Sequence, residues 1–141
     1  MAKKKQKTCR RHSLNILAGL KRRGANPRQV RSASSLLCMA EHPEKSHSET
    51  CSYCHVRYSY DRASLDHRDP VSMGGGHQKS NLQVICKRCN GAKSNLYDHM
   101  FRNLVALLFD WDRTYDGTGG YMNGILSRLA AGNMMYRRYG R

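Results

Sequence analysis

Cys51-Ser52-Tyr53-Cys54 and Cys86-Lys87-Arg88-Cys89 are two CxxC turns, and 31 residues separate them. One such turn aims two thiolates at a point, and two turns complete a tetrahedral site for structural Zn²⁺. The paired spacing makes Cys51, Cys54, Cys86 and Cys89 the expected ligands. Four unrelated buried thiols would leave that spacing without a reason. Cys51 to His55 also spells CxxCH, the haem-attachment pattern, but that chemistry needs export and gives the second turn no role. His55 is then a surface residue beside the metal. Cys9 and Cys38 have no paired spacing, and Cys38 reads as a small core residue in an apolar helix.

The chain between the turns parses as strand, glycine-rich loop, strand and helix. The first strand ends near Asp66-His67, and Pro70 with Gly74-Gly75-Gly76 makes the loop. Leu82 to Ile85 is a short apolar strand, and a helix starts near Lys87. Taken alone, each polar residue here has an ordinary explanation. Asp66 suits an Asx turn, Asn81 a turn, Asn90 a helix cap, and His67 a surface or core position.

Their order carries more. The stretch reads CxxC, then Asp66-His67, then Pro70-x-Ser72-x-Gly74-Gly75, then Asn81-Leu82-Gln83-x-x-Cys86-x-x-Cys89-Asn90-x-x-Lys93. It resembles the zinc-bound subclass of the HNH (ββα-metal) endonucleases over residues 51–95. The third signature position is Asn90 where the family name has His, which makes it an HNN form. The resemblance implies an α+β fold, with a small ββα core stapled by zinc. It also implies roles. His67 would be the general base, since a neutral imidazole can deprotonate water near pH 7. Asp66 and Asn90 would hold a single catalytic Mg²⁺ or Mn²⁺ through hard oxygen donors. Asn81, at the middle position, would tie the loop down and fix the orientation of His67. Arg68, His77 and Lys93 stand where contact with nucleic acid is within reach, with plain solvated charge as the alternative for each.

Outside this core the chain is helical and basic. Lys and Arg number 25 against 10 Asp and Glu, for a net charge of +15. Residues 1–50 hold 12 basic and 3 acidic groups, or +9 of that excess. Such a balance calls for a polyanion, most commonly nucleic acid, and the resemblance implies that the partner is DNA. No long apolar run suggests a membrane span. Four regions follow: a basic disordered arm at 1–11, a basic helical region at 12–50, the core at 51–95 and a helical region at 96–141. Helices are expected over 12–23 (Leu14, Leu17 or Ile16, and Leu20 on one face) and from Pro27 to His42 (Val30, Ala33, Leu37, Ala40). Two more are expected over 96–109 (Leu96, Met100, Leu104, Leu107, Leu108) and 121–135 (Met122, Ile125, Leu129). Residues 43–50 read as a polar connector. The basic start has no apolar signal core after it, so a reducing cytoplasm is expected.

The reading is a DNA endonuclease that hydrolyses phosphodiester bonds, a monomer or homodimer. By analogy with the family it resembles, the expectation is a phage or mobile-element enzyme. The alternative is a catalytically silent zinc-stapled module that binds DNA or structured RNA.

Overall fold

The computed structural model describes residues 8–41, 47–115 and 117–139. The expected basic arm therefore lies, for residues 1–7, outside the described residues.

Helix α1 spans Cys9–Arg22 and begins three residues earlier than its apolar pattern suggests. The reason is a cap: Thr8 Oγ1 accepts from Arg11 N at 3.2 Å. Gly24 turns the chain with φ +102°, a backbone region that favours glycine. Asn26 and Gln29 then form a reciprocal capping box, both bonds 2.9 Å, with Pro27 at the first position of α2 (Pro27–Ser34). This helix stops well short of His42, so Leu37 and Ala40 lie in the chain that follows it.

Strands β1 (Ser48–Thr50) and β2 (Arg57–Ser59) pair antiparallel and carry the first CxxC turn between them. The stretch expected as a polar connector thus ends in a strand. Strand β3 (Ala63–His67) pairs antiparallel with β4 (Leu82–Cys86), in a register that sets His67 opposite Leu82 and Ala63 opposite Cys86. Cys86 ends β4 and caps α3 (Lys87–Lys93). Helices α4 (Asp98–Tyr115) and α5 (Gly120–Tyr139) follow. The result is the expected α+β fold, with a ββα unit between helical flanks.

Two apolar clusters hold these parts. Leu17, Leu20, Ala25, Ala33 and Leu37 pack on Leu65 and Leu82, so the α1–α2 hairpin covers one face of the β3–β4 ribbon. Buried polar bonds reinforce the seam: His12 Nε2 meets Ala63 O at 2.9 Å, and Tyr60 Oη meets Ser13 Oγ at 2.9 Å. The second cluster joins the four cysteines to Tyr53, Phe101, Val105, Leu108, Met122 and Leu126. The inward stripes of α4 and α5 keep Leu108 and Met122 of the expected ones but are otherwise rotated. Met100, Leu107 and Leu129 are exposed, while Phe101, Val105 and Leu126 are buried. At the start of α1, Leu14 is likewise exposed.

Helix α5 packs closely on α3. A Cβ on Gly91 would stand 3.2 Å from Ala130 Cβ, so glycine permits the approach. Asn133 Nδ2 donates to the carbonyls of Gly91 (2.9 Å) and Ala92 (3.1 Å), satisfying the end of α3. Asp112, buried on α4, accepts from the backbone N–H groups of Gly119 and Tyr121 at 2.6 and 3.1 Å and so caps the start of α5. Among the described residues, no helix is long and apolar enough to cross a membrane.

Candidate functional site

The sulfurs of Cys51, Cys54, Cys86 and Cys89 all lie within 4.8 Å of one another, and all four residues are buried. Backbone bonds make the first turn: His55 N donates to Cys51 O at 2.9 Å, and Cys51 N to Val56 O at 3.0 Å. His55 takes a positive φ of 58° and stays exposed. At the second turn, Cys89 N donates to Cys86 Sγ at 3.4 Å. The four thiols share their protons unequally. Hydrogen bonding with Cys51 holds Cys54 far below the ordinary thiol range and pushes Cys86 and Cys89 above it. Soft sulfur donors, tetrahedral proximity and exclusion of water fit a structural zinc ion. Among the described residues this is the one group of three or more His, Cys, Asp or Glu side chains so gathered.

The ββα unit places Asp66 and His67 at the end of β3, beside α3. Asp66 is 4% exposed, and both its oxygens are bonded. Gln83 Nε2 donates to Oδ2 at 2.8 Å, and Lys93 Nζ to Oδ1 at 3.1 Å. Burial pushes the Asp66 carboxyl above its ordinary range, against the pull of Gln83 and Lys93. Lys93 is fully buried and also donates to His67 O at 2.8 Å. It is thus an internal counter-ion, and not the surface contact expected for it.

His67 is 7% exposed. Burial, then the neighbouring His77 and the charges of Arg23 and Lys93, lower its pKa to about 4. The ring is therefore neutral and proton-accepting at neutral pH. Its Nε2 lies 2.9 Å from His77 Nδ1, and the two rings meet edge to face with centroids 5.0 Å apart. His77 is accordingly a partner of His67. Among the described residues, Arg88 Nε is the only sealed side-chain N or O atom without a hydrogen bond. His67 Nδ1 has no protein partner and is not sealed, so water reaches it.

Asn81 spans the loop. Its Oδ1 accepts from Asp69 N at 2.9 Å, and its Nδ2 donates to Asp69 O at 3.0 Å and Gly76 O at 2.9 Å. The loop closes so tightly that a Cβ on Gly75 would lie 1.8 Å from Asp69 O. Asn90 faces β3, with Nδ2 donating to Ser64 Oγ at 2.6 Å. Its Oδ1 is left unpartnered and open to solvent by the same reasoning as for His67 Nδ1. Asp66 and Asn90 thus flank the ββα seam without sharing a bond. Each offers a hard oxygen of the kind that a divalent cation such as Mg²⁺ takes, and a carboxylate has about four acceptor sites, so two bonds do not exhaust Asp66. Lys93 is the competing charge on that carboxylate.

Residues outside the sequence motif complete the surroundings. Tyr53, inside the first CxxC turn, accepts from Gln83 Nε2 at 2.6 Å and donates to Asp98 Oδ1 at 2.5 Å. Asp98 also receives Arg102 Nε at 2.9 Å and pairs with Arg68 Nη1 at 3.5 Å. Burial opposes its ionisation, but the bonds from Tyr53 and Arg102 win and hold it below the usual carboxylate range. Arg68 remains half exposed beside a groove of about 410 Å³ lined with Asp69, Ser80, Asn81, Asp98 and His99. On the opposite side the α1–α2 turn approaches the imidazole pair: a Cβ on Gly24 would stand 4.0 Å from His77 Nε2. Arg23, whose charge acts on His67, is exposed and forms no ion pair among the described residues. Sequence reading gave Arg23, Gln83, Tyr53 and Asp98 no role. Only the position of Gln83 inside the motif hinted at one.

Residues 51–96 match the family model described as HNH endonuclease. The match takes in both CxxC turns, β3, β4 and α3, and leaves α1, α2, α4 and α5 outside it. No curated protein matches the chain.

Proposed function

We propose that the HNH endonuclease domain at residues 51–96 hydrolyses phosphodiester bonds in DNA, with His67 as general base. The observation that carries the reading is the state of His67. It is neutral, anchored through Nε2 and open to water at Nδ1, and it follows the Asp66 carboxyl at the end of β3. In the step, Nδ1 takes a proton from water and the resulting hydroxide oxygen attacks phosphorus. The bond from phosphorus to the 3′ oxygen breaks, leaving a 5′-phosphate, and the departing oxygen is reprotonated from solvent to a 3′-hydroxyl. Asp66 and Asn90 Oδ1 would hold Mg²⁺ or Mn²⁺, whose charge stabilises the leaving oxygen when bound. Zn²⁺ at the four cysteines keeps a purely structural part. Asn81 holds the loop that presents His77 to His67.

Nucleic acid as substrate is supported by charge. Residues 8–41 contain seven basic side chains and one acidic, 7 − 1 = +6, and their hairpin brings the Gly24 turn up to His77, with the charge of Arg23 acting on His67. One such site cuts one strand per encounter, so a double-strand break takes two copies or two events. A reducing compartment suits the free thiols.

A second reading is a zinc-stapled module that binds nucleic acid without cutting it. The Lys93–Asp66 pair favours it, because the chain itself supplies a cation to the carboxylate. Supercoiled plasmid incubated with the protein in Mg²⁺, in Mn²⁺ and without added divalent ion separates the two. Metal-dependent nicking supports the endonuclease. Binding with no nicking in either metal supports the silent module.

A further inference from the structure

Histidine can act as a base only through a nitrogen that has no proton, and neutral imidazole has one such nitrogen. Which one is free depends on the partner of the other. In this chain the Nε2 side of His67 is engaged by His77 Nδ1 at 2.9 Å, and the Nδ1 side faces water. His77 is itself held: the preceding carbonyl, Gly76 O, accepts from Asn81 Nδ2, and the Gly24 turn stands beside its Nε2.

We propose that His77 is a positioning residue that fixes the tautomer of His67. His67 donates its Nε2–H to His77 Nδ1, and the lone pair on His67 Nδ1 stays available. The opposite arrangement, with His77 donating, would put the His67 proton on Nδ1 and leave no basic nitrogen facing water. When His67 takes a proton at Nδ1, its Nε2–H keeps the same acceptor, so the new imidazolium is stabilised without a second proton transfer. The pair follows the logic of a base oriented by a third group, with a neutral imidazole as the orienter. The tautomer assignment stands on the His67–His77 geometry. Its catalytic consequence rests on the endonuclease reading above.

The test uses the full-length protein and two substitutions. His77→Ala removes the acceptor. His77→Asn keeps an acceptor oxygen in reach of the same position. Long-range ¹H–¹⁵N NMR of the histidine rings should show wild-type His67 protonated at Nε2 alone. In His77→Ala the two tautomers should mix, and in His77→Asn the Nε2–H form should return. Single-turnover cleavage of a duplex oligonucleotide at saturating protein should fall roughly 10–100-fold in His77→Ala and recover most of that loss in His77→Asn. DNA affinity and its salt dependence should hold steady. His67 protonated at Nδ1 in the wild type, or a tautomer unmoved by His77→Ala, overturns the proposal. So does an unchanged saturated rate with weakened DNA binding, which would make His77 a phosphate contact. If the wild type cuts no DNA in any divalent metal, the endonuclease reading fails, and the NMR result still decides the tautomer assignment.

Discussion

Lys93 and Asp66 meet inside the ββα unit, with Nζ 3.1 Å from Oδ1 and both side chains out of water. A buried pair of this kind is costly to split, because the survivor is a charge without a partner. Lys93→Met should therefore destabilise the fold by roughly 3–5 kcal/mol in urea unfolding. Asp66→Asn added to Lys93→Met removes the orphaned charge and should restore most of the loss. Equal unfolding midpoints for the wild type and Lys93→Met would mean that the pair contributes nothing.

Tyr53 connects the four-cysteine frame to this pair. It sits between two cysteines, and its hydroxyl meets the Gln83 amide that also holds Asp66. Loss of the metal should then disorder the candidate site along with the CxxC turns. Cys51→Ser or Cys89→Ser forfeits much of a site worth on the order of 10 kcal/mol. The expected outcome is a central module without cooperative unfolding, against a wild type holding one zinc per chain by elemental analysis. A metal-free wild type, with a mutant that melts as it does, would remove the zinc from the account.

The contrast between what was legible and what was not is physical. The two CxxC turns, the end of β3 at Asp66-His67, and the start of α3 at Lys87 could be read from spacing and turn residues, because local chemistry sets them. The inward faces of α4 and α5 could be read only in part. Leu104 and Leu108 of the expected stripe do pack on the cysteine cluster, but Met100 and Leu107 are exposed, and Phe101 and Val105, at the same helical spacing, take the buried positions. Asp112 disguised that face further, since a buried capping carboxylate looks like a surface residue in sequence. Lys93 and His77 were legible as motif and loop positions, but their partners come from β3 across the fold. Nothing local in Arg22-Arg23-Gly24 says that the turn ends beside an imidazole pair.

His67 gives the fold an acid sensitivity with a definite sign. Its pKa is about 4 in the folded chain, below the unfolded reference near 6.5. Between those values the unfolded chain binds the extra proton and the folded chain does not. His67 therefore favours folding fully above about pH 6.5, and that contribution is lost as pH falls toward 4. The loss amounts to about 3 kcal/mol. Urea unfolding from pH 7 to pH 4 should show a steeper decline for the wild type than for His67→Ala. Parallel curves would show that the ring titrates normally.

Arg22 and Arg23 close α1 just before Gly24, the turn that approaches His77 Nε2, and neither is held by an acidic side chain among the described residues. If they grip the DNA backbone, each phosphate contact adds about 0.9 to the slope of log affinity against log salt. Replacing both with Ala should flatten that slope by nearly two units and weaken binding most at low salt. A slope identical to the wild type would place the DNA on another face.

The sharpest contrast lies between His67 and Asn90. A general base contributes typically ~10²–10⁴-fold to rate, so His67→Ala should nearly silence cleavage. His67 is a ligand of no structural zinc, so zinc content and DNA affinity should stay near wild type. Asn90 would act by lending its Oδ1 to a divalent ion, and its Nδ2 already has Ser64. Asn90→Ala should therefore lose activity through metal affinity, and raised Mg²⁺ or Mn²⁺ should restore part of it. No concentration of either ion replaces a missing proton acceptor, so His67→Ala should stay silent throughout the titration. A merely misfolded variant would lose zinc, binding and cleavage together. Wild-type cleavage by His67→Ala would move the active site away from β3.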